Sequence, residues 1–349
     1  MKISIGTKVK EGPWGGGNLF AINLREYLVN NGHQVINNLQ DNNIDVIIIT
    51  EPRRTSESSA YTHIDVENYL KYVNNSALVI HRINECDERK NTNYVNKYLI
   101  RANSIADYTV FVSTWLKNLY LEQGLSQKNN FVILAGANKK IFNSIDHVPW
   151  NKSEKLKIVT HHWGANWNKG FNIYQKLDEM MALPEYKDLI SFTYIGNLPK
   201  NFAFKNSTVI SPLAGLELSN EIKKHHVYLT ASTNEPSGNH HIEGAQCGLP
   251  LLFINSGGIP EYCQGFGVQF ENNNFEDSLK ELMKNYNIYL SNNYNYPFNA
   301  EKMSKEYEDL IFDMSRNQAE LLRTRSFATK KTKLGDYSFK LKRNIKGYS

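Results

Sequence analysis

Val227-Tyr228-Leu229-Thr230-Ala231, Asn234-Glu235-Pro236-Ser237-Gly238-Asn239-His240-His241-Ile242-Glu243-Gly244-Ala245, Cys247-Gly248-Leu249-Pro250 and, after Leu251 to Asn255, Ser256-Gly257-Gly258-Ile259-Pro260-Glu261 form the stretch that decides the fold. The first apolar run reads as a strand and Asn234 to Asn239 as a turn. His240 to Cys247 then has helical spacing, closed by Gly248-Leu249-Pro250. Free N–H groups at the helix start, around Asn239 to Ile242, favour a diphosphate, and the helix dipole adds to this. Glu235 in the loop and Glu243 in the expected first turn supply carboxylates, which accept paired hydrogen bonds from the vicinal hydroxyls of a ribose or hexose. Taken singly, one is equally a loop carboxylate and the other a favourable first-turn residue. Together, around a glycine turn, they suit a sugar nucleotide.

The same alternation of strand and helix extends in both directions. In the first half, Ile3 to Val9, Val46 to Thr50, Leu78 to Ile83, Tyr108 to Ser113 and Phe131 to Leu134 read as strands, and Asn18 to Asn30, Tyr94 to Ala102 and Thr114 to Gln123 as helices. In the second half, strands are expected at Leu156 to Thr160, Ser191 to Ile195, Val209 to Ser211, Val227 to Ala231, Leu251 to Asn255 and Val268 to Phe270. Such alternation implies doubly wound parallel sheets with ligands at the carboxyl ends of the strands. At 349 residues the chain exceeds what a single core usually covers, so two α/β domains are expected, divided near Asp146 to Asn151. The expected limits are 1–148, 149–299, a last helix over 300–322 and a tail from 323 to 349.

Three further segments carry candidate chemistry. Gly12-Pro13-Trp14-Gly15-Gly16-Gly17-Asn18 follows the first strand and opens a helix, so its glycines allow close backbone approach to an anion. It has neither the Gly-Lys-Ser/Thr ending of a P-loop nor a dinucleotide-binding glycine order, and a merely structural tight turn stays open. His81 ends the apolar run Leu78-Val79-Ile80 and is expected at the carboxyl end of a central strand, facing the cleft. Beside it, Arg82 is expected to pair with Glu85, Asp87 or Glu88, and Asp87 to Lys90 reads as a solvated loop. Thr160-His161-His162-Trp163-Gly164-Ala165-Asn166-Trp167-Asn168-Lys169-Gly170 places a lysine before a glycine. Its adjacent histidines, like His240-His241, lack the one-face spacing of a helical metal site.

Taken together, these segments resemble the family 4 glycosyltransferases of GT-B fold. That family's donor signature has two glutamates with seven residues between them, followed by a small-x-x-Gly-x-Pro segment and a Gly-Gly-x-Pro-Glu loop. Ala106 to Ser113, Val132 to Asn138 with Phe142, and Asn168-Lys169-Gly170-Phe171 fall in the family's order, so the resemblance spans about residues 1 to 325. It implies two Rossmann-like domains facing across a cleft and transfer of a hexose-type sugar, with retention, from a nucleotide diphosphate to a hydroxyl acceptor, either a glycan or lipid-linked. No resident cofactor and no metal are implied. Lys169, Gly238, Asn239, His240 and Glu243 would bind the donor, Gly16 and Gly17 would close over phosphate or acceptor, and Glu235 and His81 would flank the transferred sugar. One departure stands out. Many members carry an arginine several residues before the lysine, whereas none occurs between Thr160 and Lys169. His162, Asn166 or backbone amides are the candidates to replace it, and Trp163 or Trp167 could stack on a base. A sugar-nucleotide epimerase of the same fold, or a non-catalytic binding subunit, would share the donor site.

Composition places limits on partners. The hydrophobic share of 41% is that of a globular protein, and no apolar run is long enough to span a bilayer, so a cytoplasmic location is expected. Cys86, Cys247 and Cys263 are odd in number and lack zinc-like spacing, which points to reduced thiols. From Arg323 onward nine Lys or Arg stand against Asp336 alone, more than accounting for the net charge of +5. With Tyr337, Phe339, Leu341, Ile345 and Tyr348 interleaved, this tail suits peripheral contact with an anionic membrane face, and a solvated tail fits the charges equally. The body carries no nucleic-acid motif, so no nucleic-acid partner is expected.

Overall fold

The computed structural model describes residues 1–325 apart from 11, 13 and 14. The chain forms two compact units. Among the described residues, one takes 1–10, 17–134 and 301–325, and the other takes 12, 15, 16 and 135–300.

The first unit is built on six parallel strands: β1 (Lys2–Ile5), β2 (Gln34–Ile36), β3 (Val46–Ile49), β4 (Leu78–Ile83), β5 (Tyr108–Phe111) and β6 (Asn130–Val132). Their order is β2-β1-β3-β4-β5-β6. Strands covered on both faces need apolar side chains at every position, and this is why Val46-Ile47-Ile48-Ile49 is unbroken. Val46 and Ile48 enter one core cluster, while Ile47 and Ile49 enter another on the opposite face. Phe20, Leu24 and Leu28 of the helix Gly16–Asn30 fill the first cluster, together with Met303, Tyr307, Ile311 and Met314 of the helix Ala300–Arg316. Val66, Tyr69 and Leu70 of the helix His63–Tyr72 fill the second. Each such buried side chain contributes about 1.5–3 kcal/mol. After the last helix, Gln318–Thr324, Arg325 donates to both carboxylate oxygens of Asp107 at 2.8 and 2.7 Å, and to the carbonyls of Asn75 and Ala77.

The second unit has its own six parallel strands: β7 (Leu156–His162), β8 (Ile190–Gly196), β9 (Thr208–Ile210), β10 (Val227–Thr230), β11 (Leu251–Ile254) and β12 (Gly267–Phe270). The order β12-β11-β10-β7-β8-β9 runs outward in opposite directions from β7 and β10. Loops leaving the carboxyl ends of those two strands therefore diverge and leave a crevice, the usual ligand position in an open α/β sheet.

Several expectations are corrected. The units divide after Leu134, earlier than the 146–151 segment, because the intervening stretch packs on the second unit. There Ala135 N–H donates to the Tyr262 hydroxyl at 2.9 Å, and Ala300 N–H to the Ala137 carbonyl at 2.9 Å. The edge strand β2 and the helix His63–Tyr72 were not anticipated. Asp87–Lys90 is a short helix rather than a solvated loop, and the Asp87 carboxylate accepts the N–H groups of Tyr94, Val95 and Asn96. Glu85 pairs with Arg89 and Lys90, both at 3.0 Å. Arg323 and Arg325, read as tail, belong to the folded body, and the rest of the tail lies outside the described residues. No described helix is long and apolar enough to cross a membrane.

Candidate active site

Lys169 and Glu235 meet at the crevice of the second unit. Lys169 ends a single 3-10 turn, Trp167–Lys169, that follows β7, and Glu235 lies in the loop that follows β10. The lysine Nζ donates to Glu235 Oε2 at 2.7 Å, and both side chains are largely buried. Two glycines make this approach possible. Gly170 takes φ +97, and a Cβ there would fall 2.5 Å from the Ala231 carbonyl oxygen. Gly257 takes φ +63 in the Gly-Gly-x-Pro-Glu loop, and a Cβ there would fall 2.4 Å from the Glu235 carbonyl oxygen. Only glycine tolerates both the left-handed backbone and that proximity. The Glu235 loop is pinned by Gly258 N–H, which donates to the Glu235 carbonyl at 2.9 Å, and by Asn234 N–H, which donates to Ser256 Oγ at 2.8 Å.

Gly238 precedes the helix Asn239–Gln246 with φ +76, and its side-chain oxygen-free cap leaves the first amides of the helix without a side-chain partner from that position. Glu243 is the fifth residue of its helix, one position further along than expected, since the helix begins at Asn239. Its Oε2 is 2.8 Å from His161 Nε2. His161 and Lys169 thus bring the two glutamates' partners from one strand and the turn after it.

The histidines divide by the alternation of β7. His161 turns toward Glu243. His162 turns into the core, with Nε2 2.7 Å from the Tyr174 hydroxyl, and burial, reinforced by the Lys169 charge, holds its pKa well below the usual imidazole range. His162 is thus a buried imidazole paired with Tyr174. Asn166 stays exposed and offers its carbonyl to the Lys169 N–H at 3.0 Å. His240 is buried with Nε2 2.7 Å from Thr230 Oγ1, and burial followed by the neighbouring His162 and His241 rings depresses its pKa strongly. His241 is fully buried and neither ring nitrogen has a hydrogen-bond partner, and burial brings its pKa down to about 3. Trp163 and Trp167, about half exposed, flank Gly164, where an added Cβ would stand an ordinary 3.7 Å from Lys169 Cε.

In the first unit, His81 lies toward the carboxyl end of β4, two residues before the strand ends, and is fully buried, with Nε2 lacking a hydrogen-bond partner among the described residues. Its Nδ1 donates to Asn103 Oδ1 at 2.9 Å, an oxygen that also accepts from Thr109 Oγ1 at 3.0 Å. Burial lowers its pKa to about 4. Gly16 and Gly17 are the first residues of the helix Gly16–Asn30. The neck of the glycine loop is closed by Lys10 and Asn18, whose main-chain and side-chain amides exchange hydrogen bonds at 2.9 and 2.8 Å. Among the described residues no group of three His, Cys, Asp or Glu side chains is arranged to hold a metal ion.

No protein-family model and no curated protein matches this chain. Solved structures do. A glycosyltransferase from Rickettsia africae aligns at 15% identity and TM-score 0.64, covering 90% of this chain and 99% of its own. Anabaena HepE, solved with UDP, aligns at 11% identity and TM-score 0.66, covering 90% of this chain and all of its own. WaaG, a glycosyltransferase involved in lipopolysaccharide biosynthesis, aligns at 11% identity and TM-score 0.60, covering 89% and 99%. Two units, each a six-stranded parallel sheet wound with helices, give this chain the GT-B fold of those glycosyltransferases.

Proposed function

We propose that the chain is a glycosyltransferase of the family 4 type that moves a hexose-type sugar from a nucleotide diphosphate to a hydroxyl acceptor, with retention and without a metal. The observation that carries the reading is the buried Lys169–Glu235 pair, 2.7 Å apart at the point where the strand order of the second sheet reverses. The fold likeness supports it, since HepE has been solved with UDP, with UDP and glucose, and with UDP-glucose. In this reading Lys169 and the amides from Gly238 to His240 stabilise the charge that collects on the diphosphate as the anomeric C–O bond breaks. Glu235 accepts from hydroxyls of the transferred sugar, and Glu243 from the ribose. Binding energy away from the anomeric carbon then orients the reacting centre. Asn166, Gly16 and Gly17 stay candidates for phosphate contact, and His81, whose Nε2 has no partner among the described residues, for contact with the transferred sugar.

Incubation with radiolabelled UDP-, GDP- and ADP-sugars tests this. The expected result is release of nucleotide that rises with a hydroxyl acceptor. Formation of an epimer without acceptor-dependent transfer would establish the epimerase reading instead. For the tail we propose peripheral binding to anionic membrane, where a lipid-linked acceptor would lie. Truncation must follow Ser326, because an earlier cut removes Arg325 from Asp107. Loss of binding to anionic liposomes in that truncated protein is expected, and unchanged binding contradicts the membrane role.

A further inference from the structure

His161 has a different partner on each ring nitrogen. Tyr228 Oη lies 2.9 Å from Nδ1, and Glu243 Oε2 lies 2.8 Å from Nε2. The same phenol oxygen accepts the His161 backbone N–H at 3.0 Å. Tyr228 is fully buried, and burial raises its pKa well above the ordinary phenol value, so the phenol keeps its proton. An oxygen already accepting from the backbone is placed to donate that proton toward Nδ1. Nδ1 is then the acceptor, and Nε2 carries the hydrogen that Glu243 receives.

The surrounding elements hold this chain of groups in place. Tyr228 lies on β10, in register with Val159 of the adjoining β7. The helix that carries Glu243 presses on the tyrosine ring through Gly244, where a Cβ would fall 2.2 Å from a ring carbon. Glu243 is 4% exposed, and its hydrogen bond among the described residues is to His161 through Oε2. Its second oxygen is not engaged there. A buried carboxylate fixed by a donor at one oxygen has its other oxygen and remaining lone pair aimed in a set direction, which is what recognition of two neighbouring hydroxyls requires.

We propose that His161, held by Tyr228 with its hydrogen on Nε2, is a positioning residue that fixes Glu243 for the 2′,3′-diol of a ribonucleoside diphosphate, and so makes the protein select ribonucleotides over 2′-deoxyribonucleotides. The inference rests on the reading of Glu243 as a donor-site residue. Glu243 touches the nucleotide, and His161 and Tyr228 act through it. Loss of one hydroxyl leaves a buried carboxylate short of a donor, and discrimination against such analogues is about tenfold or more.

Calorimetric titration of the full chain with UDP, GDP and ADP and with their 2′-deoxy counterparts tests the proposal. The ribonucleotide that binds should outbind its deoxy form by about tenfold or more. In His161→Phe that ratio should fall toward one, with deoxynucleotide affinity little changed. His161→Gln, whose amide keeps a donor near Glu243, should retain most of the ratio, and Tyr228→Phe, which keeps the ring under Gly244, should lower it in part. If His161→Phe and Tyr228→Phe both keep the wild-type ratio, or if the wild type binds ribo and deoxy forms equally, this proposal is overturned while the nucleotide site stands. If none of the three ribonucleotides binds the wild type, the donor-site reading itself fails and takes this one with it.

Discussion

Lys169 and Glu235 are 66 positions apart in sequence and 2.7 Å apart in the folded chain. A buried pair of this kind tolerates the loss of both charges better than the loss of one, because the survivor is left in a poorly solvating interior. Lys169→Met should therefore lower stability by about 3 kcal/mol in urea unfolding, and adding Glu235→Gln should recover part of it. A full loss in the double variant equal to the sum of the single losses would contradict the coupling. Gly164 offers a second test. A Cβ there stands near Lys169 without crowding and the backbone is not left-handed, so Gly164→Arg should add the second cation that the sequence lacks. The expected result is tighter binding of a nucleoside diphosphate, by about tenfold, with little change for the nucleoside. Equal gains for both would show that the new guanidinium does not reach the phosphates. The candidate glutamates and lysine were legible in sequence because turn formers, glycines and a helix pattern surround them. The partners of His161 were not. Nothing local says that a histidine at the end of β7 meets a glutamate 82 positions later, although the period of a strand does say that His161 and His162 face opposite ways.

The helix Asn239–Gln246 owes its position to what Gly244 lacks. With a Cβ 2.2 Å from the Tyr228 ring, Gly244→Ala must push the helix off the sheet or turn the tyrosine. Overpacking of this sort costs about 1–3 kcal/mol, so the urea midpoint should fall and nucleotide affinity should fall with it. An unchanged midpoint would mean that the helix has room to move. Most strands were legible from their apolar runs, since the central strands are covered on both faces, as in Val46-Ile47-Ile48-Ile49. The misses have local causes. β2 is a three-residue edge strand with partly exposed side chains, too short to show a period. The helix His63–Tyr72 announces itself through a capping box, in which Thr62 accepts the Asp65 N–H and the Asp65 carboxylate accepts the Thr62 N–H. Aspartate in the place of the usual glutamate made that signal easy to pass over. β4, by contrast, has the limits that its run predicts, Leu78 to Ile83, with His81 in its second half.

Across the whole molecule, the division into two units was legible from length and repeated strand–helix alternation, but its position was not. The chain changes unit after Leu134, and only tertiary partners such as Tyr262 and Asn299 assign the following residues. Stability should also depend on pH in a set direction. His81 and His241 are fully buried and neutral, with pKa values that burial lowers to about 4 and about 3. Below about pH 6.5 the unfolded chain takes up protons that the folded chain refuses, so stability falls as pH falls, by about 1.4 kcal/mol per unit for each such histidine. That loss continues until the folded value of each group is reached. Urea unfolding between pH 7 and pH 5 should show the decline, and His241→Leu should flatten it; an equal slope in that variant would contradict the assignment of His241. The account turns most directly on turnover at the Lys169–Glu235 pair. With the cognate sugar nucleotide and excess acceptor, wild type should release nucleotide steadily, and Lys169→Ala and Glu235→Ala should each do so about a hundredfold more slowly. Release at one common background rate by all three would contradict it.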